Sequence, residues 1–356
     1  MKKIQIKKIK FKRGAATKEP VSRITNETVA EHRERILAGG RKFKYPHQYV
    51  RHRLVINAVI ITFSAIAVVL VVGWWQLYSV QNTSDFMYKV TKVIPVPVAI
   101  VDGKQVRYSD YLVRYRSQQL WLQTQGQLGQ KVDDNKRQLD YVKRNIMDVL
   151  ESDVYADKRA KALNVTVTDK EVQNVIDEQR NTVTGRISQE VYDDSTRHLL
   201  GMAPNEYRHI LKQSLLRQKV AFAVDTIAKS RANEVKVALD VQAPDKKSLA
   251  TVVDQFKAKN VALEFGASGL VPKNNRDGGL SKVALALKEG EVSSLVESTN
   301  GDGYYFVQKV SSDARQVSYQ YIKIPITVFS NEIKKLKDAG KIQEYISIPK
   351  VANQQS

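Results

Sequence analysis

The chain has 356 residues, a formal net charge of +20 and no cysteine. This length suffices for about two ordinary domains. The absence of cysteine excludes disulfide bonds, thiolate metal sites, cysteine nucleophiles and a lipid-modified N-terminal cysteine. Residues 1–53 hold 16 Lys/Arg against 4 Asp/Glu, a net charge of +12, so the rest of the chain carries only +8. This uneven charge argues against a uniformly basic nucleic-acid-binding protein.

A membrane-spanning helix is predicted at Leu54–Tyr78. No residue from Leu54 to Ser84 is charged, and the first 22 of them are almost wholly apolar. At a rise of about 1.5 Å per residue they extend roughly 33 Å, enough for a hydrocarbon core of about 30 Å. Two tryptophans and a tyrosine close the segment, as expected at the headgroup level. A cleaved signal peptide fits less well, because 53 residues precede the segment and no small-residue cleavage site follows it.

The flanking charges predict how the chain is oriented. The 15 residues before Leu54 contain five Lys/Arg, whereas residues 79–93 contain two. Positive-inside bias therefore predicts a cytoplasmic N-terminus and extracytoplasmic C-terminal domains. The basic tail, residues 1–53, is interpreted as a topogenic segment. Contact with anionic lipid and nonspecific binding to RNA phosphates remain open, but no specific nucleic-acid partner is expected because no motif of defined spacing accompanies the charge.

Residues 98–230 are predicted to be mostly helical and to begin with a hairpin. Val98–Val101 and Gln105–Tyr108 are its predicted strands, joined by the Asp102–Gly103 turn. Ser109 is predicted to cap the helix that follows. The stretch before the hairpin, residues 79–97, is polar and ends in two prolines, which predicts a linker.

Three helix signals follow the hairpin. An amphipathic stripe that starts at Leu139 predicts a long helix ending near Leu163. Thr168 and Glu171 have capping-box spacing and predict a helix start. Pro204 is acceptable at a first helical position, because no amide hydrogen bond is lost there.

The segments VAIVDGKQVRYSDY, ALNVTVTDKEVQNVID and GMAPNEYRHILKQSLLRQKV occur in this order around the long helix. In order and spacing this region resembles the N-terminal chaperone domain of SurA-, PrsA- and PpiD-type foldases. The resemblance implies a helical cradle that holds unfolded or partly folded secreted chains.

Residues 231–329 are predicted to form a smaller α+β domain. Glu234–Val241 alternates and predicts a strand, and Lys246–Lys257 predicts a helix. Asp277–Gly279 predicts a turn. Gly303–Val310 predicts another strand. Val317–Ile324 is apolar on much of both faces, which predicts an interior strand.

LKEGEVS and GYYFVQKV, with VKVALDV as an opening strand, resemble a parvulin-type prolyl isomerase domain. That family uses two histidines with a cysteine or aspartate, yet no histidine lies between residues 210 and 356 and Tyr305 stands at the histidine position of GYHI. We therefore expect a degenerate fold without catalysis; a divergent isomerase using Tyr304 or Tyr305 remains open. ARQVSYQYIKI also resembles an opening strand, with Gln320 at the histidine position, and a truncated second copy is one reading of it. Candidate peptide contacts in this domain are Phe265, Leu280, Tyr304, Tyr305 and Phe306.

These observations predict an α+β protein with one transmembrane helix. The function expected is that of a membrane-anchored extracytoplasmic chaperone that binds unfolded exported polypeptides without ATP; a structural adaptor in an envelope complex is the remaining alternative. No catalytic residue, metal site or cofactor is expected. The predicted organisation is a basic tail (1–53), a transmembrane helix (54–78), a linker (79–97), a helical chaperone domain (98–230), a parvulin-like domain (231–329) and a C-terminal helix and tail (330–356).

Overall fold

The computed structural model describes residues 25–44, 46–127, 132–182, 185–242, 248–259, 261 and 263–349. The chain divides into two units, Met1–Gly73 and Trp74–Ser356. Helix α1 (Asn26–Lys44) and nearly all of helix α2 (Pro46–Trp74) lie in the first unit.

The apolar segment is helical throughout. Helix α2 continues into a π-helical turn, Trp75–Ser79. His52–Ser79 is long and apolar enough to cross a membrane by length and composition. From His52 to Trp75 its side chains are almost all exposed in the folded chain. The predicted span Leu54–Tyr78 lies within His52–Ser79.

The second unit begins with a mostly helical region. Within its described residues it contains two small hairpins, β1–β2 and β3–β4, and six α-helices. In chain order its elements are α3 (Asp85–Val93), β1 (Pro97–Val101), β2 (Lys104–Arg107), α4 (Tyr108–Thr124), α5 (Val132–Leu163), α6 (Asp169–Gln179), β3 (Asn181–Thr182), β4 (Gly185–Arg186), α7 (Gln189–Leu200) and α8 (Pro204–Val224). The capping box at Thr168 is formed in both directions with Glu171. Helix α5 ends at Leu163 and helix α8 begins at Pro204, as the sequence predicts.

Two local predictions are corrected. Ser109 does not cap helix α4, because the helix begins at Tyr108 and Ser109 already lies in its first turn. The stretch 79–97, predicted as a linker, contains helix α3, which is capped by Ser84. Thr91 of that helix is buried, so this stretch is a packed part of the second unit.

The end of the chain returns to the helical region. Helix α12 (Val328–Asp338) packs against α8, and strand β9 (Ile342–Glu344) pairs antiparallel with β1 in a sheet of order β2-β1-β9. Phe329, Ile346 and Ile348 are buried in the same core as the hairpin and helices α4 and α5. The helical domain is therefore built from two chain segments, one on each side of the smaller domain.

A buried carboxylate lies where this returning segment meets helix α5. The side chain of Glu151 is fully buried, with Lys337 Nζ 2.8 Å from its Oε2 and Arg144 Nη2 3.7 Å from its Oε1. Burial raises the pKa of Glu151 to about 7, and the nearby Lys337 ammonium offsets only part of that effect.

Replacing Glu151 by glutamine is expected to change how stability depends on pH. The folded pKa lies above the ordinary 4.5, so protonation favours the folded state; the stabilisation is complete below about pH 4.5 and is lost as pH rises through about 7. Urea unfolding of the wild type should therefore become easier across that window, and the decline should be smaller in Glu151→Gln. The exposed Glu289→Gln is the matched control; equal pH dependence in all three proteins would contradict the prediction.

The smaller domain is a four-stranded antiparallel sheet with helices on both faces. Its elements are α9 (Thr226–Asp240), α10 (Leu249–Ala258), β5 (Glu264–Pro272), α11 (Leu280–Ala286), β6 (Val296–Glu297), β7 (Gly303–Ser312) and β8 (Gln316–Pro325), with strand order β5-β8-β7-β6. Helices α9 and α10 cover one face and α11 covers the other. Strand β8 is interior and buries apolar residues on both faces, as predicted.

The strand predicted at Glu234–Val241 is wrong, because these residues belong to helix α9. Val235 and Leu239, four residues apart, are buried, whereas Val237 and Val241 are exposed. The apparent opening strand of the parvulin resemblance is thus helical. The other segment with that resemblance, β8, lies at the centre of the same sheet, so it is not part of a separate second copy.

Candidate peptide-binding surfaces

The five candidate contacts in the smaller domain do not lie together. Tyr304 and Phe306 are buried under α9 and α10, and the ring centroid of Tyr304 lies 5.0 Å from that of Phe222. Leu280 and Tyr305 are buried on the opposite face. Phe265 alone among the five is exposed, at 43%. The other four stabilise the sheet, and a bound peptide would reach them only if the covering helices moved.

A cluster of three tyrosines occupies the α11 face of the sheet. The ring centroid of Tyr321 lies 5.7 Å from that of Tyr305 and 6.3 Å from that of Tyr319. Gly266 on β5 permits this packing, since a Cβ there would come within 2.5 Å of the Tyr321 ring. Gln320, whose position resembles that of a family histidine, points to the other face because side chains alternate along a strand.

Two of the three hydroxyl groups of this cluster, those of Tyr305 and Tyr319, donate to carboxylates. Tyr305 donates to Asp302 Oδ2 over 2.6 Å, and Tyr319 donates to Asp277 Oδ2 over 2.6 Å. Burial, and then these carboxylates, raise the pKa of both tyrosines, so they stay neutral near pH 7. These phenols are held as hydrogen-bond donors within the protein, which does not suit them to act as acids or bases.

Asp302 is held ionised beneath the cluster. Burial favours its neutral form, but hydrogen bonds from Tyr305, Ser298 and Lys323 outweigh burial and lower the pKa of Asp302. Lys323 Nζ lies 3.2 Å from Asp302 Oδ2 and 6.0 Å from the centroid of the Tyr305 ring. At this corner of the sheet the charges of Asp302 and Lys323 therefore compensate each other.

The helical domain has a rigid frame built around a buried aspartate. The side chain of Asp153 on α5 is 1% exposed. Arg114 of α4 donates to its Oδ2 over 2.6 Å, and Arg217 of α8 donates to its Oδ1. Arg114 also donates to Gln213 Oε1 over 2.8 Å. One carboxylate thus joins three helices.

Helices α6 and α7 with the first half of α8 form a part of the helical domain that we call the arm. Its own small core consists of Val167, Val172 and Ile176 with Tyr192, Leu211, Leu215 and Leu216. Tyr207 on α8 donates to Gln179 Oε1 on α6 over 3.0 Å. The arm is therefore packed internally and can present a defined surface.

Exposed apolar side chains lie where the arm meets helix α4. Gly201 ends α7 with φ +62°, and a Cβ there would lie 3.1 Å from Leu120 Cδ2. The end of α7 thus adjoins the end of α4, close to Trp121. Trp121 and Leu199 remain 38% and 54% exposed, and Val191 at the start of α7 is also exposed. Trp121 and Leu199 are therefore candidate contacts for an extended chain.

A shallow groove of about 520 Å³ lies between the end of α5 and helix α8. Its lining combines aliphatic side chains with the charged side chains of Asp157, Lys161 and Lys212. Such a mixed, open lining suits an extended peptide better than a small apolar ligand.

The sequence analysis did not predict the exposed side chains of Trp121 and Leu199 as candidate contacts. It also did not predict the tyrosines that pack around Tyr305 or the carboxylate that accepts its hydrogen bond. The alternation of β8 places Tyr319 and Tyr321 on one face, so the tyrosine cluster had a usable signal. Trp121 and Leu199 had none, because their exposure depends on how α4 and α7 pack.

A comparison with known protein families finds a match, which covers the apolar segment and most of the helical domain. Residues 48–221 match the family described as the SurA-like N-terminal domain. This part of the chain is similar to the SurA-like N-terminal domain. The match covers just under half of the chain and includes the hairpin, the frame around Asp153 and the arm. No curated protein and no solved structure matches the chain. The SurA-like match supports a relation to the SurA- and PrsA-like chaperone family, to which periplasmic-type chaperones and foldases belong.

Proposed function

We propose that this protein is a membrane-anchored extracytoplasmic chaperone that binds extended apolar segments of newly exported proteins. The observation that carries the proposal is the match to the SurA-like N-terminal domain. Within that region Trp121 on α4 and Leu199 on α7 are exposed apolar side chains available to an extended chain. Shallow apolar contacts with polar surroundings give weak and promiscuous affinity, which suits a chaperone without ATP.

The apolar helix within His52–Ser79 supplies the anchor in this proposal. The charge difference across it favours a cytoplasmic N-terminus, with the SurA-like domain outside. The part of the basic tail whose pattern suits contact with anionic lipid, MKKIQIKKIKFKR, is outside the described residues. Anchoring keeps the chaperone close to clients as they emerge from the membrane.

Replacing Trp121 and Leu199 together by serine is expected to weaken client binding about tenfold, because each loses apolar contact area. The measurement is suppression of aggregation of an unfolded client by the full chain in nanodiscs, titrated against chaperone concentration. Val237→Ser is the matched control, since Val237 is 62% exposed on α9, outside the arm. The arm proposal fails if the double variant and the control suppress aggregation equally well.

The smaller domain is proposed to lack isomerase activity and to enlarge the client-binding surface, with Phe265 as one contact. The hydroxyl of Tyr305 donates its hydrogen bond to Asp302, so it does not donate to a substrate amide. A divergent prolyl isomerase remains the second candidate, because the domain carries Tyr305 at the histidine position of its resemblance to parvulin-type domains.

The two candidates predict different rates of proline-limited refolding. The full chain at substoichiometric concentration is expected to leave the slow refolding phase unchanged, and Tyr305→Phe is expected to behave like the wild type. Tyr155→Phe, which removes another hydroxyl bonded to a carboxylate, that of Glu332, serves as a control. Acceleration by the wild type that is lost only in Tyr305→Phe would establish the isomerase instead.

A further inference from the structure

The end of the apolar helix is part of the folded second unit. Leu77 is buried, and its carbonyl accepts a hydrogen bond of 2.6 Å from the Tyr108 hydroxyl. The Tyr78 hydroxyl donates to Pro97 O over 2.7 Å, and Gln81 Nε2 donates to Ser347 O over 2.8 Å. These contacts hold the last residues of the apolar segment, and Gln81 just after it, against the domain, so the folded domain begins at the end of that segment.

Helix α3 follows at once. Asp85 lies six residues after Ser79, a separation that spans at most about 20 Å even when fully extended. Trp74 and Trp75, exposed at the end of the apolar segment, mark the depth at which indole rings prefer to lie, the headgroup region. Helix α3 is therefore confined to the neighbourhood of the bilayer surface.

One edge of helix α3 is apolar and faces away from the protein. Met87 and Tyr88 pack into the main core and Thr91 is buried. Phe86 and Val93 are seven residues apart and so share one edge of the helix. They are 68% and 82% exposed, and the following Ile94 is also exposed.

We propose that Phe86, Val93 and Ile94 form a lipid-contacting surface that inserts into the headgroup region of the bilayer. This proposal rests on the proposed membrane anchor. Short amphipathic helices bury their apolar edge about 5–10 Å into this region. The two lysines of α3 already pair with carboxylates, Lys89 with Asp85 and Lys92 with Glu206. The contact is therefore carried by apolar insertion and is only weakly sensitive to salt.

The absence of cysteine makes a site-specific test direct. The full-length variants Phe86→Cys and Val93→Cys are each labelled at the new cysteine with an environment-sensitive fluorophore. The labelled proteins are then reconstituted in vesicles of neutral and anionic phospholipid. Val237→Cys on α9, which is also exposed and lies outside the proposed client surface, is the matched control. Both test labels should shift to the blue and be quenched more by nitroxides near the headgroup than by nitroxides at the bilayer centre. The control label should show neither effect.

Each other outcome overturns the proposal in a distinguishable way. Labels at 86 and 93 that behave like the control, in a chain that floats with the vesicles, overturn the lipid contact and leave the anchor intact. A chain that does not float with the vesicles overturns both. Labels that respond only when an unfolded client is added assign this edge of α3 to clients and overturn the lipid contact.

Discussion

Replacing Asp153 by alanine is expected to destabilise the helical domain by about 3–5 kcal/mol, because it leaves buried positive charge without a partner. Arg114 and Arg217 both donate to this carboxylate, which is 1% exposed. Asp153→Asn should be damaging as well, since it keeps the shape but removes the charge. Urea unfolding of the full chain in nanodiscs, followed by circular dichroism, measures the change.

The control is an exposed ion pair of the same type. Asp194 pairs with Arg197 at a distance of 2.5 Å, and its side chain is 63% exposed. Exposed pairs contribute about 0–1 kcal/mol, so Asp194→Ala should be nearly silent. If Asp153→Ala lowers the free energy of unfolding by no more than Asp194→Ala does, the role assigned to the buried aspartate is refuted.

Replacing Ile346 by alanine is expected to cost about 2–5 kcal/mol, the range for large-to-small changes in a core. Ile346 is 3% exposed and lies in the core shared by the hairpin and helices α4 and α5, far away in sequence. Loss of this contact should destabilise the helical domain, where α5 resides, and not only the chain end. Protease protection of sites in α5 during a urea titration measures the stability of the helical domain itself. In Ile346→Ala these sites should lose protection at a lower urea concentration than in the wild type.

Ile227→Ala is the matched control for Ile346, because Ile227 is 65% exposed on α9. It should alter stability by less than about 0.5 kcal/mol, as expected for a surface change. If Ile346→Ala and Ile227→Ala unfold alike, the returning segment is not part of the helical domain's core.

Local signals predicted much of the secondary structure. The Asp102–Gly103 turn, the capping box at Thr168 and the proline at 204 each act through the backbone of neighbouring residues, so their effect is readable from a short window. The alternation of β8 even predicted its interior position, because both of its faces carry apolar residues.

Non-local structure could not be predicted in the same way. Residues 234–241 alternate like a strand, but the packing of Val235 and Leu239 against the sheet selects a helix. The pairing of β9 with β1 joins Glu344 to Ala99, and nothing near either residue signals the other. The candidate surface on the arm depends on packing of the same kind, between the ends of α4 and α7.

The end of the apolar segment and the residues just after it are packed against the domain, which affects how an anchor would hold the domain. A flexible linker would let the domain sample a wide volume around its attachment point. The contacts of Leu77, Tyr78 and Gln81 fix the start of the domain instead. Under the proposed function, the folded chaperone domain would therefore begin directly at the end of the apolar helix.

The most direct test of the proposed chaperone function is photocrosslinking in cells from position 199 of the full chain, with position 237 as the control. Leu199 lies in the proposed client surface, whereas Val237 is exposed on α9 outside it. The proposal predicts crosslinks from position 199 to many different exported proteins and few from position 237. A single dedicated partner at position 199 would indicate a structural adaptor, and no exported protein there would contradict the chaperone function.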